Sequence, residues 1–142
     1  MFHHGSIKAL HLFNYMIGNN DYSITGMKNV KIFRKGSILI PVPYDFDFSG
    51  LVDAPYAIPN PDYQLTSMQE RIYLGSPESI FQLHATKTFF YSKEKKFFQL
   101  IQQMNLLGRE EKAATTSYLQ SFYYNINQID LPIKNRHFYS GK

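Results

Sequence analysis

Five of the seven prolines of this 142-residue chain fall between positions 41 and 61, at Pro41, Pro43, Pro55, Pro59 and Pro61. Proline locks φ and removes a backbone donor, so neither a helix nor a central strand runs through such a stretch. The segment is expected to be an ordered irregular loop, with Gly50 and several aromatic residues between the prolines. Long irregular loops inside compact domains tend to be functional.

On either side of that loop the chain has different periodicities. Before it, Ile7, Leu10, Phe13, Met16 and Ile17 recur at helical spacing, with Ser6 as an expected cap and Gly18 as a stop. Two β-branched runs, Val30 to Phe33 and Ile38 to Val42, then flank Arg34-Lys35-Gly36-Ser37 and predict a β-hairpin turning at the glycine. After the loop, four helical starts are expected: Ser67 with Glu70, Ser76 before Pro77 and Glu78, Ser92 before Lys93, and one near Arg109. Gly75 and Gly108 are the expected stops. The prediction is therefore an α+β fold, mainly helical, with one β-hairpin and a Pro-rich acidic loop. A single domain spans 1–133, followed by a polar tail over 134–142 expected to fray.

Composition narrows the function classes. With 12 Phe, 11 Tyr and 44% hydrophobic residues the chain has the means to build a core. The absence of cysteine excludes disulfides and thiolate chemistry. Net charge is +4, and the local concentration at Lys93, Lys95 and Lys96 suits a solvated helix better than a nucleic-acid face. No apolar run nears the roughly 20 residues that cross a bilayer, and Met1 to Ser6 lacks a signal pattern. Neither a nucleic-acid nor a membrane partner is expected, and a cytoplasmic location is the default.

Polar residues cluster at the hairpin's open end. Asn19, Asn20 and Asp21 follow the first helix, Asn29 opens the first strand, and Asp45 and Asp47 lie just beyond the second. If Phe33 pairs with Ile38, Asn29 faces Val42, three residues and about 10 Å from Asp45. Two residues apart in extended backbone, Asp45 and Asp47 would face the same side. Transfer of a phosphoryl group uses such a set, with one Asp to orient and deprotonate a hydroxyl and Asn plus Asp to hold magnesium on nucleotide phosphates. Asx turns after a helix end are the structural alternative for Asn19 to Asp21. His3, His4 and His11 form a weaker metal-binding set, and Tyr44, Phe46, Phe48 and Tyr56 suit packing or base stacking. Lys28 is a solvated lysine or a phosphate contact, and Ser23 and Ser49 lack His-Asp partners for a hydrolase triad.

The order helix, Asp loop, Asn, hairpin, metal Asp is that of a kinase C-lobe. Ile17-Gly18-Asn19-Asn20-Asp21, Lys28-Asn29-Val30-Lys31, Ile40 through Gly50 (IPVPYDFDFSG) and Asp53-Ala54-Pro55-Tyr56-Ala57 resemble a family of uncharacterised bacterial proteins similar to atypical kinases of the spore-coat and toxin types. The likeness extends through Glu70-Arg71-Ile72-Tyr73 and the later helices. It implies Mg2+ and ATP as cofactors, a hydroxyl acceptor as substrate, Asp21 as catalytic base, Asn29 and Asp45 at the nucleotide-bound metal, and Asp47 as a further metal ligand. Two departures stand out: the Asn lies eight residues after the catalytic Asp rather than five, and Asp45-Phe46-Asp47 replaces Asp-Phe-Gly. No Gly-rich phosphate loop, Walker motif or ATP-pairing strand Lys occurs. The expectation is thus a C-terminal portion of a kinase-like phosphotransferase, without activity in isolation. A non-catalytic binding domain and a metal-dependent hydrolase are the alternatives.

Overall fold

The computed structural model describes residues 1–76 and 80–130. Among them the fold is α+β, with three α-helices and one antiparallel hairpin: α1 (His4–Ile17), β1 (Val30–Lys35), β2 (Ile38–Pro43), α2 (His84–Gln103) and α3 (Arg109–Asn125). Short 3-10 turns occupy Pro61–Tyr63 and Ile126–Asp130. No helix among the described residues is long and apolar enough to cross a membrane.

Helix α1 lies at the centre because it is apolar on two sides. Leu12, Met16 and Ile17 join Leu83, Phe90, Ile101, Leu119 and Phe122 in the main core, while Leu10 packs with Tyr22 and Val30 under the hairpin. His3, not Ser6, is its N-cap; the His3 ring nitrogen accepts the Ser6 amide at 3.1 Å. Gly18 ends the helix as expected, at φ 65°, where the Asn19 amide reaches back to the Asn14 carbonyl at 2.8 Å.

The hairpin turns on two residues, Gly36 (φ 60°) and Ser37, so Lys35 pairs with Ile38 and Phe33 with Ile40. This corrects the expected Phe33–Ile38 register by two residues. An even shift leaves every side chain on its face, which is why the hydrophobic pattern could not separate the two alignments. The strand also reaches further into the proline cluster than expected, through Pro43. Alternation of ladder bonds places Pro41 and Pro43 at positions whose N–H would point away from β1, so neither proline removes a bond to it.

The second half departs more from expectation. Ser67 and Glu70 make the predicted capping contacts, with Glu70 accepting from the Thr66 and Ser67 amides, yet no helix follows. Helix α2 starts at His84 rather than near Ser92, whose hydroxyl bonds back to the Phe89 carbonyl inside the helix. The Arg109 start holds, with Gly108 as N-cap of α3 rather than as the stop of the helix before it; α2 ends at Gln103. Gly75 ends no helix. The expected start at Ser76 runs into residues 77–79, which lie outside the described set, as does the tail beyond 130.

Candidate functional site

Two loops meet over the C-terminal end of α1. The Gly50 amide donates to the Gly18 carbonyl at 3.1 Å and the Leu51 amide to the Ile17 carbonyl at 2.9 Å, with Asn19 and Ser49 paired as an antiparallel bridge. Burial of Asn19 is made tolerable by a closed set of bonds. Its Nδ2 donates to Asn14 Oδ1 at 2.8 Å, Asn14 in turn donates to the Leu10 carbonyl, and Asn19 Oδ1 accepts the Asp21 amide at 3.0 Å. Ser49 Oγ and Asn20 Oδ1 are buried without a bond.

This seam leaves no spare volume. A Cβ on Gly50 would lie 2.4 Å from the Met68 carbonyl oxygen and 2.5 Å from Tyr118 Oη, and one on Gly18 would lie 2.1 Å from the same hydroxyl. Arg71 closes it from below, donating to the Met16 carbonyl (3.1 Å), Ser121 Oγ (2.8 Å) and the Tyr118 carbonyl (2.7 Å), while its guanidinium sits 3.8 Å from the Tyr118 ring centroid. Burial pushes the Tyr118 phenol up to about 12, against the opposing pull of Arg71.

Above the seam lies the predicted polar set. The corrected register puts Asn29 opposite Tyr44, whose amide donates to the Asn29 carbonyl at 3.0 Å, so Asn29 neighbours the residue immediately before Asp45. Asn29 adopts φ 51° and turns its Nδ2 onto Asp21, donating to the carbonyl at 2.7 Å and to Oδ2 at 3.0 Å. The other carboxylate oxygen of Asp21 is held by Lys28. Asp45 also takes a left-handed conformation, φ 61°, so the 45–47 stretch is not the extended run expected. A hydrogen bond and charge repulsion from Asp47, with lesser contributions from desolvation and Asp21, hold the Asp45 carboxyl above its ordinary range. Asp47 accepts from the Phe48 amide at 3.0 Å and from Tyr56 Oη at 3.2 Å.

Asp21, Asn29, Asp45 and Asp47 therefore share the hairpin's open end. No protein-family model, curated protein or solved structure matches this chain. The donor set suits a hard cation in part: two carboxylates and the Asn29 amide oxygen, the Nδ2 being turned away to Asp21. Among the described residues no group of three or more His, Cys, Asp or Glu is arranged to hold a metal. Neither the acidic set Asp21, Asp45 and Asp47 nor the histidine set is therefore preformed around an ion; His3 caps α1, and His11 is bonded to Tyr22 Oη at 2.7 Å.

Sequence reasoning missed the roles of four residues. Lys28 engages Asp21 rather than solvent alone, Tyr56 serves as a donor to Asp47, and Arg71 with Tyr118 braces the seam from the second half of the chain. Lys28 carried a local signal in its position beside Asn29 and Tyr56 in the aromatic loop, but nothing local pointed to a brace between Arg71 and Tyr118.

Proposed function

We propose that this chain is the C-lobe-like portion of an atypical kinase-like, magnesium-dependent phosphotransferase. The observation that supports it best is the register of the hairpin, which sets Asn29 against Tyr44 beside Asp45 while the same Asn29 amide holds Asp21. The loop after α1, with Asp21 and Asn29, and the loop after β2, with Asp45 and Asp47, would then supply a base and a cation-binding pair.

In this reading Asp21 Oδ1 accepts the proton of an acceptor hydroxyl, and Asn29 keeps the carboxylate oriented through Oδ2. Asp45, Asp47 and the Asn29 amide oxygen are the groups that would hold Mg2+, a hard cation suited to oxygen donors. When bound, the ion neutralises charge on the transferring phosphoryl group. These 142 residues contain no Gly-rich phosphate clamp, so turnover requires one from elsewhere. A cytoplasmic setting, in which ATP is abundant, goes with this proposal.

A specific observation favours a second function, a non-catalytic binding domain: Lys28 already occupies the oxygen of Asp21 that a substrate hydroxyl would use. The two are separated by thermal unfolding at millimolar magnesium and ATP. The phosphotransferase reading expects a rise in Tm that needs both components and vanishes in Asp45→Asn. An unshifted wild-type Tm overturns nucleotide binding by this chain, and phosphoester turnover without ATP would point instead to a hydrolase.

A further inference from the structure

The hairpin is chemically unlike the rest of the chain. Between Tyr22 and Tyr44 stand Lys28, Lys31, Arg34 and Lys35 and no acidic residue. These four match the whole net charge of +4; the remaining sequence is balanced, acid for base. Lys28 is tied to Asp21 and the Lys31 ammonium lies over the Tyr44 ring, 5.1 Å from its centroid; Lys31, Arg34 and Lys35 are all exposed along β1.

The two edges of the hairpin differ. The outer edge of β2 is closed: the His3 amide donates to the Leu39 carbonyl at 2.9 Å, the Leu39 amide to the Met1 carbonyl at 3.0 Å, and Pro41 and Pro43 offer no N–H. Along β1 the same alternation turns the N–H and C=O of Ile32 and Arg34 outward, and among the described residues no backbone group bonds to them. Beside that open edge lies an uncovered face built from the pairs Lys31–Val42, Phe33–Ile40 and Lys35–Ile38. Phe33 is 56% exposed, and Ile38 and Val42 are each 41% exposed.

We infer that β1 docks an extended acidic segment of another protein, which adds as a third strand and lays its apolar side chains beside Phe33. Charge chooses the occupant. A second copy joined edge to edge would oppose Lys31, Arg34 and Lys35 with the same three charges, which is destabilising across a strand pair. The residues of this chain outside the described set offer little better, since 131–142 carries Lys134, Arg136 and Lys142 and no acid. An acidic strand relieves the repulsion and satisfies the outward backbone groups, the combination that strand addition uses for affinity. Those directional groups favour a peptide over an anionic lipid or nucleic acid, which would use the charge and leave the edge unpaired. The inference is independent of the phosphotransferase reading.

The test uses a labelled eight-residue peptide alternating glutamate and valine, titrated into the intact chain by fluorescence anisotropy, with amide hydrogen exchange on the complex. Binding that slows exchange at Ile32 and Arg34, and that weakens about tenfold or more when Lys31→Glu and Lys35→Glu are combined, is the expected result. Both lysines are exposed, and a thermal melt checks that the variant is folded. A lysine–valine peptide should not bind. The inference is overturned by no binding of the acidic peptide, by equal binding of an N-methylated peptide of the same charge, or by edge-dependent self-association in sedimentation. Binding of anionic vesicles or a single-stranded oligonucleotide in place of the peptide overturns it as well.

Discussion

The seam under the site and the acidic rim above it are a few residues apart in sequence and opposite in construction. In the seam, Gly18, Asn19, Ser49 and Gly50 are buried, bonded backbone to backbone, and packed so closely that no β-carbon fits at either glycine. The rim residues Asp21, Lys28, Asn29, Asp45 and Asp47 reach solvent and hold one another through side-chain contacts. Such contacts stabilise little; an ion pair as open as Lys28–Asp21 is worth about 0–1 kcal/mol. The fold is anchored in the seam, and side chains on the rim can change at little cost in stability.

If that division is right, Gly50→Ala should have the largest effect. Its methyl group meets the Met68 carbonyl and Gln69 Cα, contacts that only backbone movement can relieve, so a loss of about 3 kcal/mol is expected in denaturant unfolding, at the upper end for overpacking. A loss indistinguishable from zero would mean that the 49–51 loop is not held against the end of α1. Next comes Arg71→Met, which keeps the apolar stem and removes the donors to the Met16 and Tyr118 carbonyls. A loss of about 2 kcal/mol is expected from buried acceptors left without partners.

How far sequence could reach follows the same division. Gly18 as a helix stop, the hairpin with Gly36 in its turn, and the Arg109 start were legible because each is written locally, in a left-handed turn or a helix boundary. The meeting of Asp21, Asn29 and Asp45 at one end of the hairpin was legible from their order around the two strands, and so was the alternative of an Asx turn, which Asn19 Oδ1 makes with the Asp21 amide. The register was not, since a slip of two preserves the alternation of Ile32, Phe33, Ile38 and Ile40 between faces. The start of α2 was hidden because Leu83 caps it with no side-chain bond, whereas Ser92 looked like a cap and bonds backward inside the helix. Ser67 and Glu70 formed their box without a helix, because the chain beyond them is drawn across to α1 by Arg71. Arg71 and Tyr118 as braces were beyond reach: their partners lie about 50 residues away, and no local pattern encodes them.

His11 tests the boundary between seam and rim by pH. It joins α1 to the polar loop through Tyr22 Oη, and burial pushes its pKa down to about 4 from an ordinary 6.5. The fold therefore prefers the neutral ring. Its contribution is fully present above pH 6.5 and is lost as pH falls toward about 4, with a slope no steeper than about 1.4 kcal/mol per pH unit. Subtracting the stability profile of His11→Gln from that of the wild type should leave this step. A flat difference would show that the ring is solvated and that the loop is not anchored through it.

The smallest expected change in stability, and the one that most sharpens the contrast, is Asp45→Asn. The Asp45 carboxyl is raised first by its bond to Asp47, then by the charges of Asp47 and Asp21. A raised folded-state pKa means that the stabilising contribution belongs to the protonated group, present below the ordinary carboxylate range and lost as pH rises through the raised value. Ionisation is thus disfavoured there, and the amide should leave stability at pH 7 unchanged or slightly higher while flattening its acid-side pH dependence. Urea unfolding at pH 7 and pH 4 checks this. A loss comparable to that of Gly50→Ala would make Asp45 a structural residue and erase the distinction between rim and seam. An unchanged fold that no longer responds to magnesium and ATP would put the function of the rim on that one carboxylate.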